Sequence, residues 1–223
     1  MGRGSREVGI GRRTPLPGVF GFQRTNPLTN AVEGTPNTPV NILPGQTHTF
    51  VISASPSMPF DPTNVRFDFA GTNAAPATPL VGINTLLLSA SAGPVLNIVA
   101  LAATLGNNGI VDIPSVAGIG VFSVATVNVG AAAGNITVGA HTGGVSVPVT
   151  ITLCETHPVI GDCLALPAAS VTRTINPGET PTFGFFVAGH GLVAFDPAVN
   201  RVFVRFQEGG VARDATSVAA RTK

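Results

Sequence analysis

Apolar and polar residues alternate along most of the second half of the chain. In VATVNVG, GNITVGA and VPVTITLCET, apolar residues take alternate positions with Thr, Asn or Ser between them, and Gly-rich turns such as AAAG and HTGG separate the stretches. A period of two, punctuated by turn-formers, predicts half-buried antiparallel strands joined by tight turns. SVTRTI, PTFGFFV, RVFVRFQ and TSVAART continue the pattern, and IVALAAT and GIVDI precede it. No segment combines helical caps with a sustained 3.6-residue period.

The alternation therefore predicts about nine strands in some 125 residues, the signature of an all-β, immunoglobulin-like antiparallel β-sandwich. It also occurs twice. Thr25 and Pro27 precede Thr156 and Pro158 by 131 residues; Pro44, Gly45, Thr47 and Phe50 precede Pro177, Gly178, Thr180 and Phe183 by 133. Phe60, Asp61 and Pro62 return as Phe195, Asp196 and Pro197 at 135, and Val65 and Phe69 return as Val202 and Phe206 at 137. An offset that drifts at each turn is what loop insertions between fixed strands produce.

Residues 20–89 thus read as the later half of a repeat whose complete copy spans residues 90–223, a tandem repeat with the first copy incomplete. Residues 1–19, basic and without the apolar core of a signal peptide, read as a disordered or non-native N-terminal segment. The repeat also sorts faces. Val202, Val204 and Phe206, like Val65, Phe67 and Phe69, are expected to point inward, whereas Phe203 and Arg205 are exchanged for Arg66 and Asp68 on the outward side. The recurring Pro-Gly pairs fit type II turns, and the recurring Asp-Pro pairs fit turns closed by side-chain hydrogen bonds.

Composition narrows the setting. Only 10% of residues are charged and the net charge is +1, so nothing suggests a nucleic-acid or membrane-surface partner. Between Ala70 and Leu153 the only Asp, Glu, Lys or Arg is Asp112. No apolar run reaches the roughly 18 residues of a membrane span.

VATVNVG, VPVTITLC, INPGETPTFGFFV and NRVFVRF resemble bacterial immunoglobulin-like modules of the cell-adhesion-related (CARDB-like) kind, repeated in large exported proteins of Gram-negative bacteria. That resemblance covers about residues 95–222 and again half of a copy over 20–89. It implies an extracellular or cell-surface, non-catalytic structural or adhesive module, a spacer, stalk or display element. Its partners would be neighbouring repeats of a longer chain or surface components. It supplies no catalytic residues, no cofactor and no metal.

Candidate chemistry is sparse. Cys154 and Cys163, the only cysteines, are expected to close a hairpin disulfide; free thiols are one alternative, and a metal site of Cys154, His157 and Cys163 with Asp162 nearby is another, although its spacing is not a standard zinc pair. The first copy has Gln23 opposite Cys154 and Asn26 opposite His157. His48, His141, His157 and His190 lie in unrelated contexts and no nucleophile elbow exists, so no catalytic site is expected. Calcium at Asp61 or Asp196 with Asn64 or Asn200 competes with a plain turn role for those carboxylates. No Gly-rich phosphate loop is present, and Asn135 matches a glycosylation acceptor that a bacterial chain usually leaves unused. The rival function is a ligand- or carbohydrate-binding accessory domain of a secreted enzyme, gripping a polymer through AGHGLVAFDP with His190 and Phe195. The absence of Trp and Tyr weighs against it.

Overall fold

A computed structural model describes residues 5–73, 75–76, 78–79 and 84–223. Among these residues there is no helix, only strands, turns and irregular connections. The chain divides into two units, Met1–Ala92 and Gly93–Lys223. Each is built from antiparallel sheets in a sandwich-like arrangement.

The second unit holds nine strands: β8 (Ile98–Thr104), β9 (Ile110–Ile113), β10 (Ile119–Asn128), β11 (Gly134–His141), β12 (Val149–Thr156), β13 (Ser170–Ile175), β14 (Thr182–Gly189), β15 (Arg201–Glu208) and β16 (Val211–Thr222). They form two sheets, ordered β12-β14-β10-β8 and β13-β11-β15-β16-β9. The alternating residues of both inner faces meet in one core. Phe122 and Val124 from β10 and Phe183, Phe185 and Val187 from β14 lie against Ile136, Val138, Val202, Val204 and Phe206. Phe122 stacks on its cross-strand partner Phe185 at 4.7 Å, and Phe183 meets Phe206 of the other sheet edge-on at 5.9 Å. Burying each such ring stabilises the unit by about 1.5–3 kcal/mol.

One pairing departs from the antiparallel expectation: β9 runs parallel to β16 along the sheet edge. Asp112 and Arg221 are register partners there, and Arg221 donates to the Asp112 carboxylate at 2.6 Å. The isolated charge of the central segment thus fastens the last strand to the sheet. The Arg221 bond, reinforced by the charges of Arg221 and Lys223, holds the Asp112 carboxyl below the usual range.

Among its described residues the first unit has seven strands: β1 (Ser5–Arg12), β2 (Gly18–Thr25), β3 (Val32–Glu33), β4 (Val40–Ile42), β5 (Thr49–Pro56), β6 (Phe60–Ala70) and β7 (Thr85–Ala90). Its sheets are ordered β4-β1-β6-β7 and β3-β2-β5. The core is small, with Ile10, Phe22, Val65 and Phe67 buried and Phe20, Phe50, Phe69 and Leu88 partly covered against them.

The stretch 1–19, expected to be disordered or non-native, contains β1 and the start of β2. β1 forms because β4 and β6 flank it: Val8 pairs with Val40 and Ile10 with Phe69. Residues 1–4 of that stretch lie outside the described residues. No helix of the described residues is long and apolar enough to cross a membrane.

Candidate functional site

The hairpin that follows β12 carries the densest chemistry foreseen in the sequence. Cys154 lies two residues before the end of the strand, buried to 1% exposure, and is disulfide-bonded to Cys163 with Cα atoms 5.6 Å apart. Thr156 and Cys163 are bridge partners, and the Leu164 N–H donates to the Glu155 carbonyl. The ends of this short loop are therefore held by backbone pairing as well as by the covalent clip.

His157 begins the turn. Its Nδ1 accepts from the Val159 N–H at 3.3 Å, its N–H donates to the Asp162 carbonyl at 2.8 Å, and its carbonyl accepts from the Gly161 N–H at 2.9 Å. Gly161 has φ +79°, which suits a residue without a Cβ. The first unit makes the same bonds with different letters. Asn26 Oδ1 accepts from the Leu28 N–H, the Asn26 N–H donates to Ala31, and the Asn26 carbonyl accepts from Asn30, which has φ +57°. His157 thus caps a turn, as Asn26 does, and Asp162 contributes its backbone carbonyl to the same turn. Among the described residues no three His, Cys, Asp or Glu side chains converge as metal ligands.

The other foreseen residues are dispersed. Asp196 Oδ1 accepts from the Ala198 N–H, its carbonyl accepts from Val199 and Asn200, and the Asn200 side chain donates to Ala194. In the first unit, Thr63 donates to the Asp61 carbonyl inside β6. His190 Nε2 and the Thr150 hydroxyl are 2.7 Å apart. Phe195 is 56% exposed and lies under the Arg221 guanidinium, 5.1 Å from its ring centre. His141 stacks on Phe203 at 5.6 Å, its Nδ1 accepts from the Gly143 N–H, and burial, then the charge of Arg205, lowers its pKa. These histidines occupy separate places.

Three polar clusters escaped the sequence reading. Asn128 is fully buried, and its side chain donates to the Ala132 and Ile175 carbonyls while accepting from the Asn97 and Gly130 N–H groups. Arg173 bridges Glu155 and Glu179. Glu179 also accepts from the Asn176 N–H at 2.8 Å, and that backbone bond, with the Arg173 charge, lowers its pKa. Asp214 accepts from the Ala100 N–H of the opposite sheet at 2.6 Å, while burial raises its pKa against the pull of that bond and of the Ala215 N–H. Each cluster ties backbone segments together.

A depression of about 350 Å³ near Leu105, Val121, Thr156 and Phe186 is lined by apolar, glycine and hydroxyl residues, with no titratable side chain. No protein-family model matches the chain, and no curated protein is matched by it.

Proposed function

We propose that the two units are copies of one immunoglobulin-like repeat and that the protein is a non-catalytic structural or adhesive module of an extracellular bacterial repeat protein, resembling the CARDB-like kind. The observation that carries this reading is the agreement of pairing registers between the units. Phe22 faces Ile52 and Leu153 faces Phe185; Ile10 faces Phe69 and Val138 faces Phe206; Val65 faces Leu86 and Val202 faces Val218. Val8 and Ile136 correspond by a second route, since they face Val40 and Arg173 in β4 and β13.

Small bonds recur with the strands. The hydroxyls of Thr25 and Thr49 meet at 2.8 Å, and those of Thr156 and Thr182 at 2.7 Å. In the two Pro-Gly turns the Gln46 N–H donates to Leu43 and the Glu179 N–H to Asn176, with φ of +77° at Gly45 and +76° at Gly178. Gln46 and Glu179 side chains then accept from the same Leu43 and Asn176 N–H groups. On this correspondence β1 is the counterpart of β11, so the first copy begins one strand earlier than residue 20.

The immunoglobulin reading is supported by strand order. β8-β10-β14-β12 follows the A-B-E-D order of that fold's first sheet, and β11-β15-β16 follows C-F-G of the second. β13 and β9 extend the second sheet at its two edges. What the copies share is turn and core, and the His157, Asp196 and Asn200 side chains bond backbone groups of their own turns. A spacer or display element needs no more than that. The disulfide is consistent with an oxidising compartment.

Thiol trapping with a maleimide in cells of the source organism, combined with protease treatment of those intact cells, tests the setting. An oxidised Cys154–Cys163 pair and release of peptides by protease are expected. Alkylated thiols, with protection until lysis, would contradict an extracellular role.

A further inference from the structure

We infer that the first unit is an acceptor for an added β-strand of the β10 kind, which docks antiparallel on the open edge of β5. The inference rests on the repeat correspondence above. In the second unit β14 lies between β12 and β10, whereas among the described residues β5 pairs with β2 alone and forms the end of its sheet. The consequence is written in the burial. Phe183, Phe185 and Val187 of β14 are fully covered, but Ile52, at the place of Phe185, is 36% exposed, and its neighbour Val51 is 44% exposed.

Beneath this edge a cavity of about 410 Å³ is lined by Ile10, Phe50, Ile52, Phe67, Phe69 and Leu86, with the polar His48, Asn84 and Thr85 completing the lining. A second, of about 240 Å³, opens beside Phe20, Ile52, Ala54, Val65 and Leu88. The same chain displays what fills the equivalent space. β10 sets Phe122 opposite Phe185 and Val124 opposite Phe183, with Gly120 opposite Val187. Transferred to β5, these positions face Ile52, Phe50 and Ala54. Neither β5 nor β10 carries a charged residue, so no lysine or carboxylate guards the edge against pairing, as edge strands usually require. The occupant is therefore an extended, uncharged strand with small, aromatic and branched residues at successive inward positions, held by main-chain hydrogen bonds.

Direction and register follow from the backbone. The Thr126 and Asn128 N–H groups donate to Pro181 and Glu179, so the even-numbered amides of β10 point toward the β14 side. Phe122 and Val124 amides would then bond β5, and Ser123 and Ala125 amides would point away.

The test adds a fluorescent peptide spanning residues 117–129, with solubilising lysines outside that span, to the full chain and reads anisotropy. Saturable binding is expected, and N-methylation at Phe122 and Val124 should weaken it by about tenfold or more, the scale of two lost main-chain bonds. Methylation at Ser123 and Ala125, equal in number, should leave it nearly unchanged. A chain carrying Val51→Cys should cross-link to a peptide carrying Ser123→Cys, and one carrying Ser53→Cys should not. Absence of binding, equal loss from both methylation patterns, or sedimentation showing the face already occupied by a second copy would each overturn the inference. None of those results would disturb the repeat correspondence, which stands on registers within the chain.

Discussion

On the proposed repeat correspondence β14 and β5 hold the same place in their units, and they have opposite fates. β14 is covered by strands on both sides and every second residue is sealed in the core. Among the described residues β5 has one neighbour, and from Val51 to Pro56 its residues are exposed. The local sequence does not explain this difference, because both are uncharged strands that alternate well and both follow the same Pro-Gly turn. Burial comes from what packs on the strand, and the first unit has no described counterparts of β8, β9 and β10.

The largest expected effect breaks the comparison at its centre. Phe185→Ala removes a fully buried ring stacked on Phe122 and should destabilise the second unit by about 3–5 kcal/mol. Ile52→Ala, at the matching place in β5, should lower first-unit stability by about 1 kcal/mol or less. Urea unfolding followed through NMR signals of each unit would read both; equal losses would refute the asymmetry.

The covalent clip comes next. Replacing Cys154 and Cys163 by serine opens a loop with a sequence separation of 9 residues and should cost about 2–3 kcal/mol in the second unit. The converse sharpens the correspondence. Gln23→Cys with Val32→Cys puts thiols at the matching places of the first unit, where Val32 pairs with Thr25 as Cys163 does with Thr156. Spontaneous oxidation and a gain of about 2 kcal/mol in the first unit are expected, since the closed loop has the same length. Failure to oxidise would mean that the two hairpins differ in geometry.

A smaller effect concerns acid. The Glu179 pKa is lowered in the folded state, so its contribution is present above the ordinary glutamate range and is lost as the pH falls through the folded value. Glu179→Gln, which recreates the Gln46 turn of the first unit, should flatten that part of the acid limb of the second unit's pH–stability curve. An unchanged limb would remove Glu179 from it. Least of all, His157→Asn substitutes the cap used by Asn26 and should change stability by no more than about 0.5 kcal/mol. A large loss, or loss of a bound metal, would reinstate His157 as a ligand.

The strands of the second unit were readable because each alternates for several residues between turn-formers, and the inward set of β15 followed from comparing residues 202–206 with the similar stretch 65–69. β1 was not. Val8 and Ile10 alternate with glycine beside a run of arginines, too little local signal for a strand, and only flanking β4 and β6 make it one. Direction was equally hidden for β9, since alternation is the same in parallel and antiparallel pairs. The disulfide was expected from two cysteines beside a turn, with a metal site left as its alternative; the His157 cap was not foreseen, because a histidine ring accepting a turn N–H has no local pattern of its own. The Asn128, Arg173 and Asp214 clusters depend on backbone groups from remote segments, such as Ile175 and Ala100, and no local pattern announces such partners.

Residue-resolved amide hydrogen exchange on the full chain tests most directly whether the first unit is the second one's plan with its covering strands missing. In β14, amides on both edges should be protected to the level of global unfolding of the second unit. In β5, only alternate amides, those facing β2, should be protected, and the rest should exchange at nearly the rate of an unstructured chain. Uniform protection along β5, equal to that of β14, would contradict an open edge.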